Sequence, residues 1–273
     1  MKVALCCIGR LENQYAVEFV EWYKKLGFDK IFIYDNNHDG EEYFEDVLQS
    51  YIDDGFVEII NYRNLQAAQL MAYNNCYQNH GNEYDWIAFF DFDEFLTLVE
   101  DKDIKSYLDN FKGVDCIKIN WMIYTDNGLV INDYRPVLER FTTPMEYDKC
   151  ISYSFPENNH VKSIVRGGIK DFIWNGTPHT PNMDIHYCNS IGEETDSSPF
   201  QKYDFNIAYV KHFSTKTLDE YFNCKRLRGQ ADRHYNLFKS LYKIDDFFKY
   251  NDKTDEKNNY IKSILNNEIY NNS

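Results

Sequence analysis

The chain has 273 residues, of which 43% are hydrophobic and 17% are aromatic. This composition excludes a disordered chain and a small disulfide-stapled domain, because it supplies ample apolar material for a buried core. The 29 basic and 44 acidic residues give a net charge of −15, which opposes binding to a phosphate backbone, so nucleic acid is not an expected partner.

The first half of the chain alternates segments typical of strands with segments typical of helices. Apolar runs predict buried strands at Val3–Ile8, Lys30–Tyr34, Phe56–Tyr62 and Trp86–Phe90. Apolar residues at helical spacing predict helices over Ala16–Leu26, Phe44–Tyr51 and Gln66–Gln78. This alternation indicates a doubly wound α/β domain with a mostly parallel sheet, in which ligands bind at the carboxyl ends of the strands.

The second half is less regular. A further strand is predicted at Cys116–Tyr124, and the pattern then loosens over about 126–198 into a stretch rich in Asn, Pro and Gly. Long irregular segments in compact domains are commonly functional loops, so we expect this region to contribute to a binding site. A strand at Ile207–His212, a helix from Leu218 and a polar helical tail follow.

Two aspartates at the end of the fourth predicted strand carry the strongest chemical signal. Asp91 and Asp93 flank Phe92 directly after a wholly apolar run, and alternation places both carboxylates on one side of the strand, about 6–7 Å apart. Carboxylate oxygens suit Mg²⁺ or Mn²⁺, which keep their other positions for water and phosphate oxygens. The alternative interpretation is an acidic strand end that caps a helix.

Five segments in the same order make the chain similar to glycosyltransferases of the GT-A fold, in particular family 92 and its family 2-like relatives. They are Cys7 to Gly27, Ile33–Asn36, Trp86–Phe95, Lys162–Arg166 and His212 to Lys216. The resemblance implies an α/β, GT-A (Rossmann-like) domain over 1–240, with a nucleotide-sugar-binding half (1–124) and an acceptor-side loop region (125–217). A helical polar tail (241–273) would complete the chain.

The resemblance also implies roles for individual side chains. Asp91, Asp93 and His212 would bind Mn²⁺ or Mg²⁺ against the diphosphate of a UDP-sugar. The residues expected to bind the nucleotide sugar are Ile8, Arg10, Glu12, Asp35, Asn36, Arg63, Asp91, Lys162, Arg166 and Lys216. Glu94 and Asp184 are the two candidates for the general base, and Trp121 and Trp174 for a sugar-stacking wall.

The activity implied in this way is the metal-dependent, inverting transfer of a hexose, galactose or a similar sugar, to a glycan or lipid-linked acceptor in surface polysaccharide biosynthesis. Two other functions stay open. A Mg²⁺-dependent nucleotidyltransferase or phosphatase would need a glycine-rich loop or an aspartate nucleophile after the first strand, and Cys7–Arg10 offers neither. A non-catalytic domain that binds a glycan or a nucleotide is the third possibility.

The expected location is cytoplasmic. The seven cysteines lack the paired C-x-x-C spacing of zinc and redox sites, which favours reduced thiols. No apolar run approaches the ~20 residues that span a bilayer, and Arg10 and Glu12 follow the first apolar run too soon for a signal peptide. Peripheral contact with the inner membrane face is an additional hypothesis, based on a basic patch at Lys225, Arg226, Arg228 and Arg233.

Overall fold

The computed structural model describes residues 1–146, 151–152, 155–229, 231–232 and 244–271. The strands are β1 (Val3–Gly9), β2 (Lys30–Asp35), β3 (Val57–Asn61), β4 (Trp86–Phe89), β5 (Glu94–Leu98), β6 (Cys116–Ile123), β7 (Ile151–Ser152), β8 (Phe155–Pro156), β9 (Val161–Arg166), β10 (Tyr187–Asn189), β11 (Glu194–Thr195) and β12 (Ala208–His212). The helices are α1 (Asn13–Lys25), α2 (Glu45–Asp53), α3 (Gln69–His80), α4 (Ile104–Leu108), α5 (Val137–Arg140), α6 (Leu218–Glu220), α7 (Arg226–Arg228), α8 (Ile244–Phe247) and α9 (Asp255–Asn271). A 3₁₀ turn (Glu157–Asn159) precedes β9, and a π-helical turn (Tyr221–Lys225) joins α6 to α7.

The central sheet has the strand order β11-β10-β6-β9-β4-β1-β2-β3. Strands β3, β2, β1, β4, β6 and β10 run in one direction, while β9 and β11 run against them. β12 pairs with β6 in parallel and with β5 in antiparallel fashion. This arrangement confirms the predicted α/β class with a mostly parallel sheet.

Strand β1 shows why its apolar run forms a strand at the centre of the sheet. All seven of its residues are buried, and successive side chains point to opposite faces. Leu5 and Cys7 pack with α1 residues such as Phe19 on one face, whereas Cys6 packs with Tyr73 of α3 on the other. The sheet is therefore covered by helices on both sides, which accounts for the continuous apolar pattern.

The prediction that 126–198 is irregular is wrong for β9, which lies in the middle of the sheet between β4 and β6. Its sequence carries Lys162, Ser163 and Arg166, so it does not read as a buried strand. Lys162 and Ser163 are nevertheless fully buried, because ion pairs and hydrogen bonds compensate the loss of their hydration.

The C-terminal helices pack against the domain. Phe247 of α8 lies in a cluster with Val130, Leu218 and Tyr221. Lys257 of α9 is buried and forms an ion pair with Asp126. The predicted division into two halves and a tail stays a prediction. Across the ranges that the structure describes, no helix is both long enough and apolar enough to cross a bilayer.

A buried carboxylate fixes the connection between β12 and the π-helical turn. Glu220 accepts hydrogen bonds from Arg140 at 2.8 and 3.0 Å, from Tyr15 at 2.6 Å and from Thr217 at 2.6 Å. Arg140 and Glu220 are both almost wholly buried. Charge-assisted bonds of this kind are stronger than neutral ones, so this pair ties α1, α5 and α6 together.

We predict that Glu220→Gln destabilises the fold, because it leaves the Arg140 guanidinium buried without its counter-ion. The loss in the free energy of unfolding should be about 3–5 kcal/mol, measured by chemical denaturation. The matched control is Asp54→Asn, which removes an exposed partner of Lys24 and should leave the midpoint unchanged. Equal midpoints for both variants would contradict the assigned role of Glu220.

Candidate active site

A cavity of about 1010 Å³ opens at the carboxyl edge of the parallel strands. Part of its polar lining comes from the ends of β1, β2, β4 and β12, and from the segment that follows β12 up to the π-helical turn. These residues include Gly9, Asn36, Asp91, Asp93, His212, Ser214 and Lys225. The cavity therefore lies where doubly wound sheets bind their ligands.

Asp91 lies on the cavity wall, with its side chain 33% exposed. Its Oδ1 accepts a hydrogen bond from Gln69 at 2.8 Å and a longer one from Tyr73 at 3.3 Å. Its Oδ2 accepts from the ammonium of Lys162 at 2.8 Å. Both oxygens are thus oriented by donors from α3 and β9, and the carboxylate is held in one position.

Lys162 joins two carboxylates beneath this wall. Its Nζ lies 2.8 Å from Asp91 and 3.4 Å from Glu94. Burial lowers the pKa of Lys162, but the two carboxylates outweigh this effect and hold the pKa well above its usual value. Burial raises the pKa of Glu94 well above its usual value, against the opposing influence of Lys162. Lys162 is consequently a permanent buried cation.

Asp93 has a different set of neighbours. Its side chain is 8% exposed, its Oδ1 lies 3.7 Å from His212 Nε2, and its Oδ2 lies 3.5 Å from Lys225 Nζ. Burial acts to raise the pKa of Asp93, but nearby cations, the Lys225 ammonium first among them, overcome it and hold the pKa well below its usual range. Asp93 is therefore ionised in the folded protein at neutral pH.

His212 is a buried, neutral imidazole. Burial lowers its pKa to about 3, despite the adjacent Asp93 carboxylate. Its Nδ1 is buried, and it makes no hydrogen bond to any residue that the structure describes. A neutral ring is the form in which histidine binds a metal.

Asp93 and His212 supply one carboxylate oxygen and one imidazole nitrogen to the same part of the cavity. Within the described ranges, no group of three or more His, Cys, Asp or Glu side chains is arranged to hold a metal ion. The two donors suit Mn²⁺ if water and ligand oxygens fill its other positions. A complete cage of protein ligands, as in a structural metal site, does not form from the described residues.

Several of the residues predicted to form the site line the cavity: Ile8, Arg10, Glu12, Asn36, Asp91, Asp93 and His212. Arg10 forms a two-bond ion pair with Glu41 at 2.9 and 2.6 Å. Glu12 pairs with Arg228, and burial raises the pKa of Glu12. The guanidinium of Arg228 therefore reaches the cavity from α7.

Four residues predicted to bind the donor do not line the cavity, and they contact other protein side chains instead. Asp35 and Arg63 form a buried ion pair at 2.7 Å, and Asp35 also accepts a bond from the Asn37 main chain. Lys162 binds Asp91, as described above. Lys216 is buried, with its ammonium 4.3 Å from the centre of the Tyr15 ring.

The structure corrects the predicted roles of Arg166 and Asp184, which lie at the opposite edge of the sheet. Arg166 pairs with the first residue of β4, Trp86, and its guanidinium donates to the carbonyls of Val114 and Phe111. Asp184 is exposed and precedes β10, whose first residue pairs with the first residue of β6. Neither side chain lines the cavity.

The other predicted features are also revised. Glu94 is fully buried and does not line the cavity, so it is not placed to act as a base on a ligand. The Trp174 indole is buried in the core and donates to the Thr177 carbonyl. Trp121 lines the cavity, but the rings of His160, His179 and His212 lie 4.1–5.0 Å from it, so these rings restrict its use as a sugar-stacking wall.

Half of the predicted basic patch turns inward. Lys225 faces Asp93 and Arg228 faces Glu12, while Arg226 lies over the Phe222 ring. Arg233 lies outside the described residues. Contact with the inner membrane face and a cytoplasmic location stay predictions.

Sequence reasoning missed Gln69, Tyr73, Glu157 and His160. Gln69 is the first residue of α3 and Tyr73 lies one turn later, and the connection from β3 to α3 is a position from which such folds commonly bind ligands. Glu157 and His160 lie a few residues before the segment Lys162–Arg166. Their position just before β9 was the one feature of the sequence that could have indicated a role. That position is informative only if the direction of β9 is known, and the sequence does not reveal it.

Comparisons with known proteins identify the group to which the chain is related. The sequence model described as Glycosyltransferase family 92 matches residues 2–263. A glycosyltransferase family 92 protein of Ricinus communis is 31% identical over 111 residues, which is 36% of this chain and 17% of that protein. The chain thus spans less than a fifth of that relative's length.

Two solved structures of S. aureus TarS 1-349 are similar at a greater distance. The complex with UDP-GlcNAc has a TM-score of 0.44 and 12% identity, covering 69% of this chain and 58% of that chain. The complex with UDP has a TM-score of 0.40 and 13% identity, covering 61% and 47%.

We predict that Lys162→Gln makes stability more dependent on pH. Without the ammonium, burial and Asp91 raise the folded-state pKa of Glu94 further above its unfolded value of about 4.3, so the folded state binds more protons than the unfolded chain. The free energy of unfolding should then fall with rising pH, above the unfolded pKa of Glu94, over a wider pH range than in the wild type. Denaturant titrations across this range measure the slope.

The control for this prediction is Lys105→Gln, because Lys105 forms an exposed ion pair with Asp29. Its stability profile should follow that of the wild type. A Lys162→Gln profile parallel to the wild type would show that Lys162 does not compensate buried carboxylates.

Proposed function

The chain belongs to glycosyltransferase family 92, and from this premise we propose that it transfers a hexose, galactose or a related sugar, from a UDP-sugar. The proposed acceptor is a glycan or a lipid-linked glycan in surface polysaccharide biosynthesis, with inversion at the anomeric carbon. The observation that carries this proposal is the pairing of ionised Asp93 with neutral His212, 3.7 Å apart in a large cavity at the strand ends.

The proposed cofactor is Mn²⁺ or Mg²⁺, held by Asp93 and His212. An imidazole nitrogen beside a carboxylate oxygen favours Mn²⁺ over Mg²⁺, which prefers oxygen ligands. When bound, the cation acts as a Lewis acid towards negative charge on the departing diphosphate. The cation would also make the local charge of an otherwise acidic site positive. An anionic donor could then bind despite the net charge of −15.

Charged groups around the cavity support a diphosphate ligand. Lys225 and Arg228 reach the cavity from the segment after α6, and Arg10 reaches it from the end of β1. Each forms an ion pair with a carboxylate, namely Asp93, Glu12 and Glu41. Guanidinium and ammonium groups bind phosphate oxygens well, so a diphosphate would exchange these partners for stronger ones.

Asp91 was expected from the sequence to be a third metal ligand, but protein donors already hold both of its oxygens, so its proposed role is instead to orient the donor. Three protein donors hold its two oxygens, and its side chain remains one-third exposed to the cavity. A carboxylate held in this way is ready to accept hydrogen bonds from sugar or ribose hydroxyls without losing further side-chain entropy.

We predict that Asp93→Asn and His212→Gln each reduce UDP release from the donor by about 100-fold or more, because each removes a proposed ligand of the ion that stabilises the leaving group. The measurement is UDP release with Mn²⁺ in the presence of acceptor. The control is Asp184→Asn, an exposed carboxylate at the opposite sheet edge, which should retain wild-type turnover. Wild-type turnover in both site variants would contradict the metal assignment.

We predict that a panel of UDP-hexoses separates the donors by turnover, with UDP-galactose or a close relative preferred. Initial rates of UDP release at one Mn²⁺ concentration measure this preference. An enzyme that releases UDP from none of the hexose donors, while it binds UDP, would instead favour a non-catalytic nucleotide-binding function.

A further inference from the structure

The cavity contains a second ionisable cluster that the donor site does not use. It comprises Glu157, His160 and His179, and all three line the cavity. Glu157 and His160 come from the turn before β9, and His179 comes from the loop after it. Glu94 and Asp184, the two carboxylates considered above as general bases, both lie outside the cavity lining. A general base must therefore come from other residues of the lining, and this cluster beside β9 offers candidates.

The hydrogen bonds of His160 define its tautomer. Its Nδ1 lies 3.0 Å from the carbonyl oxygen of Glu157 and 3.1 Å from the Oε2 of the same residue. A carbonyl oxygen only accepts hydrogen bonds, so Nδ1 carries the proton. In the neutral ring, Nε2 then has a free lone pair, and it makes no hydrogen bond to a described residue.

The His160 ring is also fixed in place. It stacks on Trp121 with ring centres 4.9 Å apart and meets Phe200 edge-on at 4.5 Å. The turn that carries it is anchored to β6, because Asn120 donates to the Asn158 carbonyl and Asn158 accepts from the Ile123 main chain. A catalytic group is effective when packing holds it within hydrogen-bond reach of its target.

His160 and the proposed cation site line the same cavity and both contact Trp121. Trp121 contacts His212 at 4.1 Å as well as His160 at 4.9 Å, so a single indole joins the proposed cation site to this cluster. An attacking oxygen lies about 3–3.5 Å from the carbon it attacks and about 2.6–3.2 Å from its base. The proposal therefore requires the acceptor hydroxyl to lie between His160 and the anomeric carbon of a donor held at the diphosphate site.

We propose, on the basis of the function proposed above, that His160 is the general base that deprotonates the acceptor hydroxyl and that Glu157 is its positioning residue. His160 Nε2 takes the hydroxyl proton as the acceptor oxygen bonds to the anomeric carbon. The bond between that carbon and the diphosphate oxygen breaks, and UDP leaves with the electron pair. The imidazolium then releases its proton to water, and the Glu157 carboxylate stabilises its charge in the interval.

His179 is the alternative base within the cluster. Its Nδ1 lies 3.1 Å from the Val161 carbonyl, which gives it the same tautomer. Burial, with Lys162 and His160 nearby, holds the pKa of His179 well below its usual value. Among the residues that the structure describes, no carboxylate lies within hydrogen-bond distance of the His179 ring, whereas Glu157 lies beside His160, so the geometry favours His160.

The test compares His160→Gln, Glu157→Gln and His179→Gln in the full chain with Mn²⁺. The control is His186→Gln, an exposed histidine whose Nδ1 also bonds a main-chain carbonyl, that of Gly113. We expect His160→Gln to lower kcat by about 100-fold or more, with the KM for the donor and calorimetric UDP affinity within about threefold of wild type. The Glu157 variant should lose less, about tenfold, and the control nothing.

A second readout separates proton transfer from structure. Imidazole added to His160→Gly should restore turnover, and substituted imidazoles of higher basicity should restore more, because general-base catalysis follows the strength of the base. Wild-type kcat in His160→Gln, a parallel loss of UDP affinity, or a large loss in His179→Gln alone would overturn the assignment. A wild-type protein that releases no UDP from any donor would instead overturn the proposed function itself.

Discussion

The ion pair between Lys162 and Asp91 is the interaction on which the site depends. It allows Asp91, Asp93 and Glu94 to lie together at the end of a buried strand, where three uncompensated carboxylates would be severely destabilising. Lys162 reaches them from β9, at the centre of the sheet, and contacts both Asp91 and Glu94. Asp93 instead lies beside His212 and Lys225, and Asp93 and His212 form the proposed cation site.

The two aspartates of this short motif consequently have different roles. Asp91 is positioned by Lys162, Gln69 and Tyr73, and it offers the cavity a carboxylate of fixed orientation. Asp93 faces a neutral imidazole and the long side chain of Lys225, which a bound cation or diphosphate would displace. Although the chain is acidic overall, buried cations balance both aspartates at this site, since Lys162 pairs with Asp91 and Lys225 with Asp93.

The sequence was sufficient to predict β1, β2, β3, β4 and β6, because they show as largely apolar runs, and it placed Asp91 and Asp93 at the edge where the cavity opens, but it did not reveal the parallel strand β10. It was insufficient for β9, whose Lys, Ser and Arg obscure its burial. The reversed direction of β9 also explains why Arg166 was wrongly expected to bind the donor. An antiparallel strand places its first residues, with His160 and Lys162, at the carboxyl edge of its neighbours and its last residue, Arg166, at the far edge. Strand direction follows from tertiary pairing, which local patterns do not encode.

The most direct test of this account is a calorimetric titration of the wild-type protein with UDP, in Mn²⁺ and again in a chelator. Asp93 and His212 form a site that is completed by the ion and the diphosphate together, so UDP should bind with measurable heat in Mn²⁺ and at least tenfold more weakly, by a margin of about 1.4 kcal/mol or more, in the chelator. Equal UDP affinity under both conditions would contradict the claim that these two residues recruit a cation for the diphosphate.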